Sequence, residues 1–181
     1  YNFQSICCVF PETAKQVQSL LKYCNQFNIK VVPQGGNTSL TGASVPSKNN
    51  YEIIINLKKM NRIISIDKNN YSITLEAGCV LNDIKNFVNK NNFYFPLNIG
   101  SGGSCQIGGN VATNAGGINA LRYGSIKDSI LGLEVVLADG SRLDSLLNMK
   151  KNNSGYDIKT LFCNSEGTLG IITKVILKIF P

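Results

Sequence analysis

The sequence predicts an α+β fold, and three observations carry that prediction. Two amphipathic helical stretches, residues 12–27 and 81–88, are flanked by short apolar runs of β type. The runs follow the order β-α-β-loop-β-β-β-α and then further strands, which is not the regular βαβ alternation of a parallel α/β sheet. Between these elements lie three glycine-rich segments, at residues 34–42, 100–117 and 164–172.

Each element has a local cause. Residues 6–10 form a short apolar run and a first strand. Over residues 12–27, Ala14, Val17, Leu20, Leu21, Cys24 and Phe27 fall along one helical face. Pro11 suits a helix start and Glu12 is favourable in a first turn. Residues 29–32 predict a strand running into the first glycine segment. Ile53-Ile54-Ile55 is a buried-strand signal, followed by a turn at residues 58–61. Residues 63–66 and 72–77 predict two strands joined by a hairpin at the polar residues 67–70. In the second, Ile73 and Leu75 alternate with Thr74 and Glu76, as in a half-buried strand. Leu81, Ile84, Phe87 and Val88 mark the second helix, which ends in the asparagine cluster of residues 89–92. Residues 131–137 predict a strand meeting Asp139-Gly140 as a two-residue hairpin turn. Residues 156–162 predict a short helix and residues 171–179 a long closing strand. No repeat or linker divides the chain, so residues 1–181 are expected to form one domain.

Composition narrows the function classes. With 43% hydrophobic and 16% charged residues, the chain belongs with globular domains rather than disordered ones. No stretch approaches the roughly 18 uninterrupted apolar residues of a membrane span. The net charge is +7, but the lysines are scattered, with only Lys58-Lys59 and Lys150-Lys151 adjacent. This is a solvated basic surface rather than a nucleic-acid stripe. The six cysteines form no CxxC pair and the chain has no histidine, so a zinc site lacks both spacing and partners. Reduced, mostly buried thiols are expected. The chain opens at Tyr1 without methionine and shows no signal-peptide architecture, as expected of a trimmed piece.

The glycine segments carry the chemistry. Gly100 and Gly102 have the spacing of a dinucleotide fingerprint, but Cys105 stands where its last glycine should be, and no glycine precedes a Lys-Ser or Lys-Thr pair as in a P-loop. Residues 35–42 pack three glycines and three hydroxyl residues, Thr38, Ser39 and Thr41, into eight positions. That composition serves either a surface turn or a loop that turns successive N–H groups onto an anion. A hydrogen bond to a charged group contributes about 1.5–3 kcal/mol, so three or four supply much of the about 8 kcal/mol that a micromolar ligand needs. Residues 108–117, Gly-Gly-Asn-Val-Ala-Thr-Asn-Ala-Gly-Gly, are small and apolar. They suit either a connection packed on a helix or a surface lying flat against a planar ring. Residues 164–172 suit a turn entering a strand. Two such runs in one small domain point to a long, multi-part ligand. No catalytic constellation is visible: Glu166, Asp139 and Asp144 show no pairing, and there is no histidine base.

Together, Pro33-Gln34-Gly35-Gly36-Asn37-Thr38, the 108–117 run, Leu121-Arg122-Tyr123-Gly124, residues 131–140 and Ser165-Glu166-Gly167-Thr168-Leu169-Gly170 resemble the FAD-binding domain of the vanillyl-alcohol oxidase / p-cresol methylhydroxylase superfamily. Within it, residues 35–38, Gly103-Ser104-Cys105 and Gly155-Tyr156-Asp157 are most similar to the D-2-hydroxyglutarate dehydrogenases, with D-lactate dehydrogenases and the FAD subunit of glycolate oxidase as near relatives. The resemblance covers nearly the whole chain and implies a two-lobed domain gripping extended FAD. Pro33, Gln34, Gly35, Gly36, Asn37, Thr38 and Ser39, with Gly42 nearby, would hold the pyrophosphate, and a side chain at Gly36 would occupy the ligand's path. Pro96, Leu97, Gly100, Ser104, Gly108, Gly109, Thr113, Asn114 and Gly117 would line the ribityl chain and isoalloxazine. Glu166, Gly167, Gly170 and Ile172 would lie near the adenosine or pyrophosphate.

Without histidine, the histidyl-flavin bond of some relatives is impossible, so the FAD is expected to be noncovalent. The implied reaction is hydride transfer from C2 of a D-2-hydroxy acid to flavin N5, D-2-hydroxyglutarate first, in a mitochondrial or otherwise cytoplasmic enzyme. The small-molecule substrate would be held by a C-terminal domain that begins where this chain stops, and turnover would require it. The resemblance implies no nucleic-acid partner and names no electron acceptor. Departures from the family pattern are Asn98 for a usual Asp, Gln106 for a common His and Asn164 for a usual Gly. The alternatives are the FAD domain of a D-lactate or glycolate dehydrogenase, or a noncatalytic flavin-binding module.

Overall fold

A computed structural model describes residues 4–47 and 51–181. In chain order the elements are β1 (Cys7–Val9), α1 (Ala14–Gln26), β2 (Lys30–Gln34), β3 (Glu52–Asn56), β4 (Ile63–Asp67), β5 (Ser72–Glu76), α2 (Leu81–Lys90), α3 (Ile107–Ala112), α4 (Ala120–Tyr123), α5 (Ile126–Ser129), β6 (Ile130–Val136), β7 (Arg142–Ser145), α6 (Ile158–Leu161) and β8 (Ile171–Lys178). They form two sheets. β1 and β2 flank β3 in a three-stranded parallel sheet, with Cys7 and Val31 both opposite Ile53. The second sheet is antiparallel, in the order β4-β5-β8-β6-β7. The α+β, two-lobed reading is therefore observed.

Helix α1 forms where the periodicity placed it and buries Ala14, Val17, Leu21 and Cys24. Its start differs from the expectation built on Pro11 and Glu12. Thr13 is the N-cap, its hydroxyl accepting the Gln16 N–H, and Glu12 lies outside the helix. A hydroxyl that satisfies an otherwise unpaired first-turn amide outcompetes a favourable charge placement. The far end closes at Asn28, which takes φ 53°. The Ile29 and Asn28 amides then return to the carbonyls of Cys24 and Asn25, a Schellman closure that aims the chain directly into β2.

Three other local expectations change. The turn between β6 and β7 has three residues rather than two: Leu137 N–H donates to the Ser141 carbonyl, with Gly140 at φ 79°. This is a turn followed by a left-handed glycine. It lets the hairpin press against α1, where Gln18 Nε2 donates to the Gly140 carbonyl at 3.1 Å. Strand β5 is not half-buried. It lies between β4 and β8, and Glu76 is 1% exposed. Arg62 offsets that buried charge through Nη2 at 2.7 Å, Nε at 3.1 Å and its own backbone N–H at 2.9 Å. Residues 107–112, in the run read as a connection or flat surface, form helix α3.

One core unites the elements, with Val17, Ile55, Leu75, Ile84, Ile107, Leu133 and Leu177 among its buried members. Helix α1 packs on β6 and α3 on β8, joining the parallel sheet to the antiparallel one. Cys24, Cys79, Cys105 and Cys163 are buried free thiols, while Cys7 and Cys8 are exposed.

Burial, reinforced by the Glu76 charge, pushes the Cys79 thiol up to about 12. The unfolded chain releases that proton at about pH 8.5. Between these values the folded state binds more protons than the unfolded one, so stability falls as pH rises. Urea titrations at a series of alkaline pH values should show Cys79→Ala losing less stability than the parent, by up to about 1 kcal/mol per pH unit. Parallel curves would contradict this placement of the thiol.

Candidate functional site

The site begins at the carboxyl end of β2. Asn56, closing β3, donates its side-chain amide to Gln34 Oε1 at 2.8 Å and to the Gly35 carbonyl at 3.1 Å. Gln34 Nε2 in turn donates to the Ser44 carbonyl at 2.7 Å, and Ser44 Oγ to Asn37 Oδ1 at 2.8 Å. Ser39 and Thr41 share a hydroxyl–hydroxyl bond at 2.9 Å. The loop is thus tied by its own side chains. Its backbone donors remain open: among the described residues, no carbonyl accepts from the N–H groups of residues 36–40. Asn37 sits there at φ 53°, within a bend of the kind that gathers amides around an anion.

The second glycine run reaches this loop through backbone contact. A Cβ on Gly36 would lie 2.0 Å from the Ser104 carbonyl oxygen and 3.0 Å from Cys105 Cα. Gly36 is therefore needed for the two loops to touch, a role beyond the expected one of keeping the ligand's path clear. Gly108 serves a similar end, since a Cβ there would meet the Ala77 Cβ at 2.6 Å. Helix α3 is seated by the Ile107 and Gly108 amides, which donate to the Cys79 and Ala77 carbonyls. Gly109 differs from both. A Cβ there meets nothing within 4 Å, and the residue faces open space.

The third run closes the third side. Glu166 N–H donates to the Ala112 carbonyl at 2.9 Å, and Gly167, at φ 80°, lies against Pro33. Three stretches, spread between residues 33 and 172, thus surround one cleft of about 400 Å³, within the size range of ligand pockets. Of the residues singled out from sequence, Pro33, Gln34, Gly35, Gly36, Asn37, Thr38, Ser39, Gly108, Gly109, Thr113, Glu166, Gly167, Gly170 and Ile172 line it.

Gly42, Pro96, Leu97, Gly100, Ser104, Asn114 and Gly117 are not among its lining residues. Gly42 turns the outer end of the loop at φ 81°, and Pro96 and Leu97 are buried. A Cβ on Gly100 would meet nothing within 4 Å. Ser104 presents its carbonyl to Gly36, Asn114 accepts from the Lys127 N–H, and Gly117 packs on the Asn98 carbonyl.

Sequence reasoning passed over several lining residues: the apolar Leu57, Ala77 and Ile99, and the amides Gln106 and Asn110. Gln106 Oε1 and Asn110 Oδ1 are buried without a hydrogen-bond partner. The available signal was two amides four residues apart in an otherwise small, apolar run.

Among the described residues, Glu166 is the sole charged residue lining the cleft, and no lysine or arginine does so. Among the described residues no group of three or more His, Cys, Asp or Glu side chains is arranged to hold a metal ion. No described helix is long and apolar enough to cross a membrane. A second concavity, of about 600 Å³ and more open to solvent, lies on α1 around Phe10, Gln16 and Tyr23, and among the described residues it has no orphaned buried polar atom. What the main cleft offers is unpaired amides and an apolar floor. That set fits an elongated anionic nucleotide with a planar ring, held without a cationic side chain among the described residues.

Comparison with known proteins gives the same direction. The profile of a family described as FAD binding domain matches residues 6–145. The chain is 50% identical over 175 residues to a probable mitochondrial D-2-hydroxyglutarate dehydrogenase of Oryza sativa, covering 97% of this chain and 31% of that protein. It is 52% identical over 165 residues to a putative mitochondrial D-lactate dehydrogenase of Schizosaccharomyces pombe, covering 91% and 31%. An alkyldihydroxyacetonephosphate synthase structure superposes with a TM-score of 0.85 at 25% identity, covering 95% of this chain and 31% of that one. The chain thus spans about a third of the length of the relatives it matches.

Proposed function

The chain belongs to the FAD binding domain family, and on that premise we propose that it is the cofactor domain of a flavin-dependent dehydrogenase acting on a D-2-hydroxy acid. The observation that carries the reading is the convergence of three glycine-rich stretches on one cleft whose amides at residues 36–40 are unpaired. In this reading those amides bind the pyrophosphate, and the apolar floor with Gly109 receives the ring system. Ser104, through its contact with Gly36, holds the first two glycine runs together.

FAD, once bound, supplies the hydride acceptor for oxidation of the C–OH group to a ketone. The chain's own work is to bind and orient the cofactor and to keep water from one side of it. Among the described residues no acid–base pair lines the cleft, so in this reading proton removal and substrate recognition fall to a further domain of a longer protein. The names of the relatives support D-2-hydroxyglutarate as substrate and a mitochondrial location. D-lactate is the second reading, favoured by the 52% identity to the Schizosaccharomyces pombe protein. The absence of histidine from the chain excludes a histidyl-flavin bond to its own residues and supports noncovalent attachment.

The test is direct. The purified chain mixed with FAD and desalted should keep its yellow colour at close to one flavin per chain, and acid precipitation should release all of it. A folded but colourless protein would overturn the proposal. Anaerobic bleaching of the full-length holoprotein by D-2-hydroxyglutarate, D-lactate or glycolate in turn decides among the substrates.

A further inference from the structure

We propose that the groove between strand β1 and helix α1 is a docking site for an extended segment of a partner protein, apolar along one face and carrying a carboxylate. The groove shares no lining residue with the main cleft, so the proposal stands apart from the flavin reading.

Two features meet there. The first is an open sheet edge. β1 pairs with β3 on one side, and among the described residues no strand lies on its other side. An unpaired edge offers a row of N–H and C=O groups to an incoming chain, and proteins usually guard such edges with charge or proline. The run Ile6-Cys7-Cys8-Val9-Phe10 has neither, and Ile6, Cys7 and Cys8 are exposed. The second feature is an apolar wall beside that edge. Val9, Phe10 and Pro11 line the groove from the strand and its exit, Leu20 and Tyr23 from the helix. Tyr23 is exposed and packs on exposed Phe27, ring centroids 4.6 Å apart, which lengthens the apolar surface.

The dimensions select an extended occupant. From Lys15 to Tyr23 helix α1 runs about 12 Å, the reach of about four residues of strand. A segment added along β1 takes its affinity from main-chain hydrogen bonds and presents every second side chain to the apolar wall.

Charge selects its chemistry. Among the described residues Lys15 is the sole charged residue lining the groove, and Lys58 Nζ lies 4.2 Å from the Phe10 ring centroid. Neither lysine pairs with a carboxylate among the described residues, and the neighbouring Glu12 is held by Lys59 at 2.7 Å. The groove is therefore positive and unneutralised near Phe10 and Lys15, which calls for a carboxylate on the occupant. A second copy of this chain would bring the same two lysines and the same occupied Glu12, so like charges would meet.

The experiment titrates the chain, with and without FAD, with the capped peptide acetyl-Val-Thr-Phe-Thr-Glu-amide and with its counterpart ending in lysine. Amide NMR should show saturable shift changes at residues 7–9 and at Lys15, Leu20 and Tyr23, to the same extent with or without FAD. Hydrogen exchange within residues 7–9 should slow as the outer edge gains partners. The glutamate peptide should bind roughly three- to fivefold more tightly than the lysine peptide. Lys15→Glu should reverse that preference, and because Lys15 is exposed the variant should melt with its parent. Equal affinity for the two peptides, binding without slowed exchange in β1, or no saturable change over residues 7–23 overturns the proposal. So does a dimer in sedimentation that protects the same amides, since it gives the surface to a second copy.

Discussion

Gly109→Leu should abolish flavin retention while leaving the fold at least as stable as before. Gly109 lies inside α3, where glycine is a poor helix former and leucine a good one, so the exchange should stabilise the helix by roughly 0.7 kcal/mol. Apart from its own helix backbone and chain neighbours, no atom stands within 4 Å of a Cβ at this position, so the side chain starts into open space. It does enter the cleft, in the space that the account assigns to the flavin. Affinity for FAD should fall on the order of a hundredfold or more, equivalent to about 2.7 kcal/mol. The melting temperature without ligand should stay level or rise by about 1–3 °C. A variant that retains flavin normally would place the ligand elsewhere.

Gly36→Ala should fail for a different reason. Its Cβ would lie 2.0 Å from the Ser104 carbonyl oxygen and 2.8 Å from the Ser104 carbonyl carbon. Neither partner yields easily, because the Ser104 and Cys105 amides are fixed on the Ser101 carbonyl and Asn56 pins the opposing loop at Gly35. Overpacking of this kind costs about 1–3 kcal/mol, a drop in melting temperature of roughly 4–10 °C for a chain of this size. FAD affinity should fall at least about tenfold, or 1.4 kcal/mol, as the amides of residues 36–40 move away from the cleft. Calorimetry and flavin titration on both variants separate the two roles: the change at Gly36 lowers stability and binding together, the one at Gly109 binding alone. Equal melting temperatures for Gly36→Ala and its parent would show that the two loops are not in backbone contact.

These two glycines mark the limit of what composition conveys. Both belong to runs that the sequence makes conspicuous, yet which glycine spares a backbone and which spares a ligand depends on what lies opposite. Ser104 is 68 residues from Gly36, and no local pattern announces the contact. Helices α1 and α2 were legible because Val17, Leu21 and Cys24, or Leu81, Ile84 and Val88, repeat at helical spacing. Helix α3 was not, because Ile107-Gly108-Gly109-Asn110 has low intrinsic propensity. Burial of Ile107 and Val111 and the seating of its first amides on Ala77 and Cys79 override that propensity. Glu76 likewise looked like a solvent-facing position, since its partner Arg62 becomes a neighbour only when β4 and β5 pair.

For the site, the loop at residues 34–39 and the turn at residues 166–172 were readable as polar, glycine-spaced breaks between strands. Their hydroxyls drew attention first, but Ser39 and Thr41 bond each other, and the free donors are backbone amides. Pro96, Leu97 and Gly117 came from family resemblance alone, and they are not among the residues that line the cleft. Gln106 and Asn110 were missed because a neutral amide in a small-residue run resembles any solvated loop residue until its burial is known.

The central claim is that residues 36–40, Gly109 and Gly167 enclose one bound FAD. The most direct measurement is residue-resolved amide NMR of the chain as FAD is added. Shift changes and slowed hydrogen exchange should concentrate at residues 36–40, at Gly109 and at Gly167, with the α1 surface around Gln16 and Tyr23 unaffected. Perturbations confined to that α1 groove, with the amides of residues 36–40 unmoved at saturating flavin, would contradict the account.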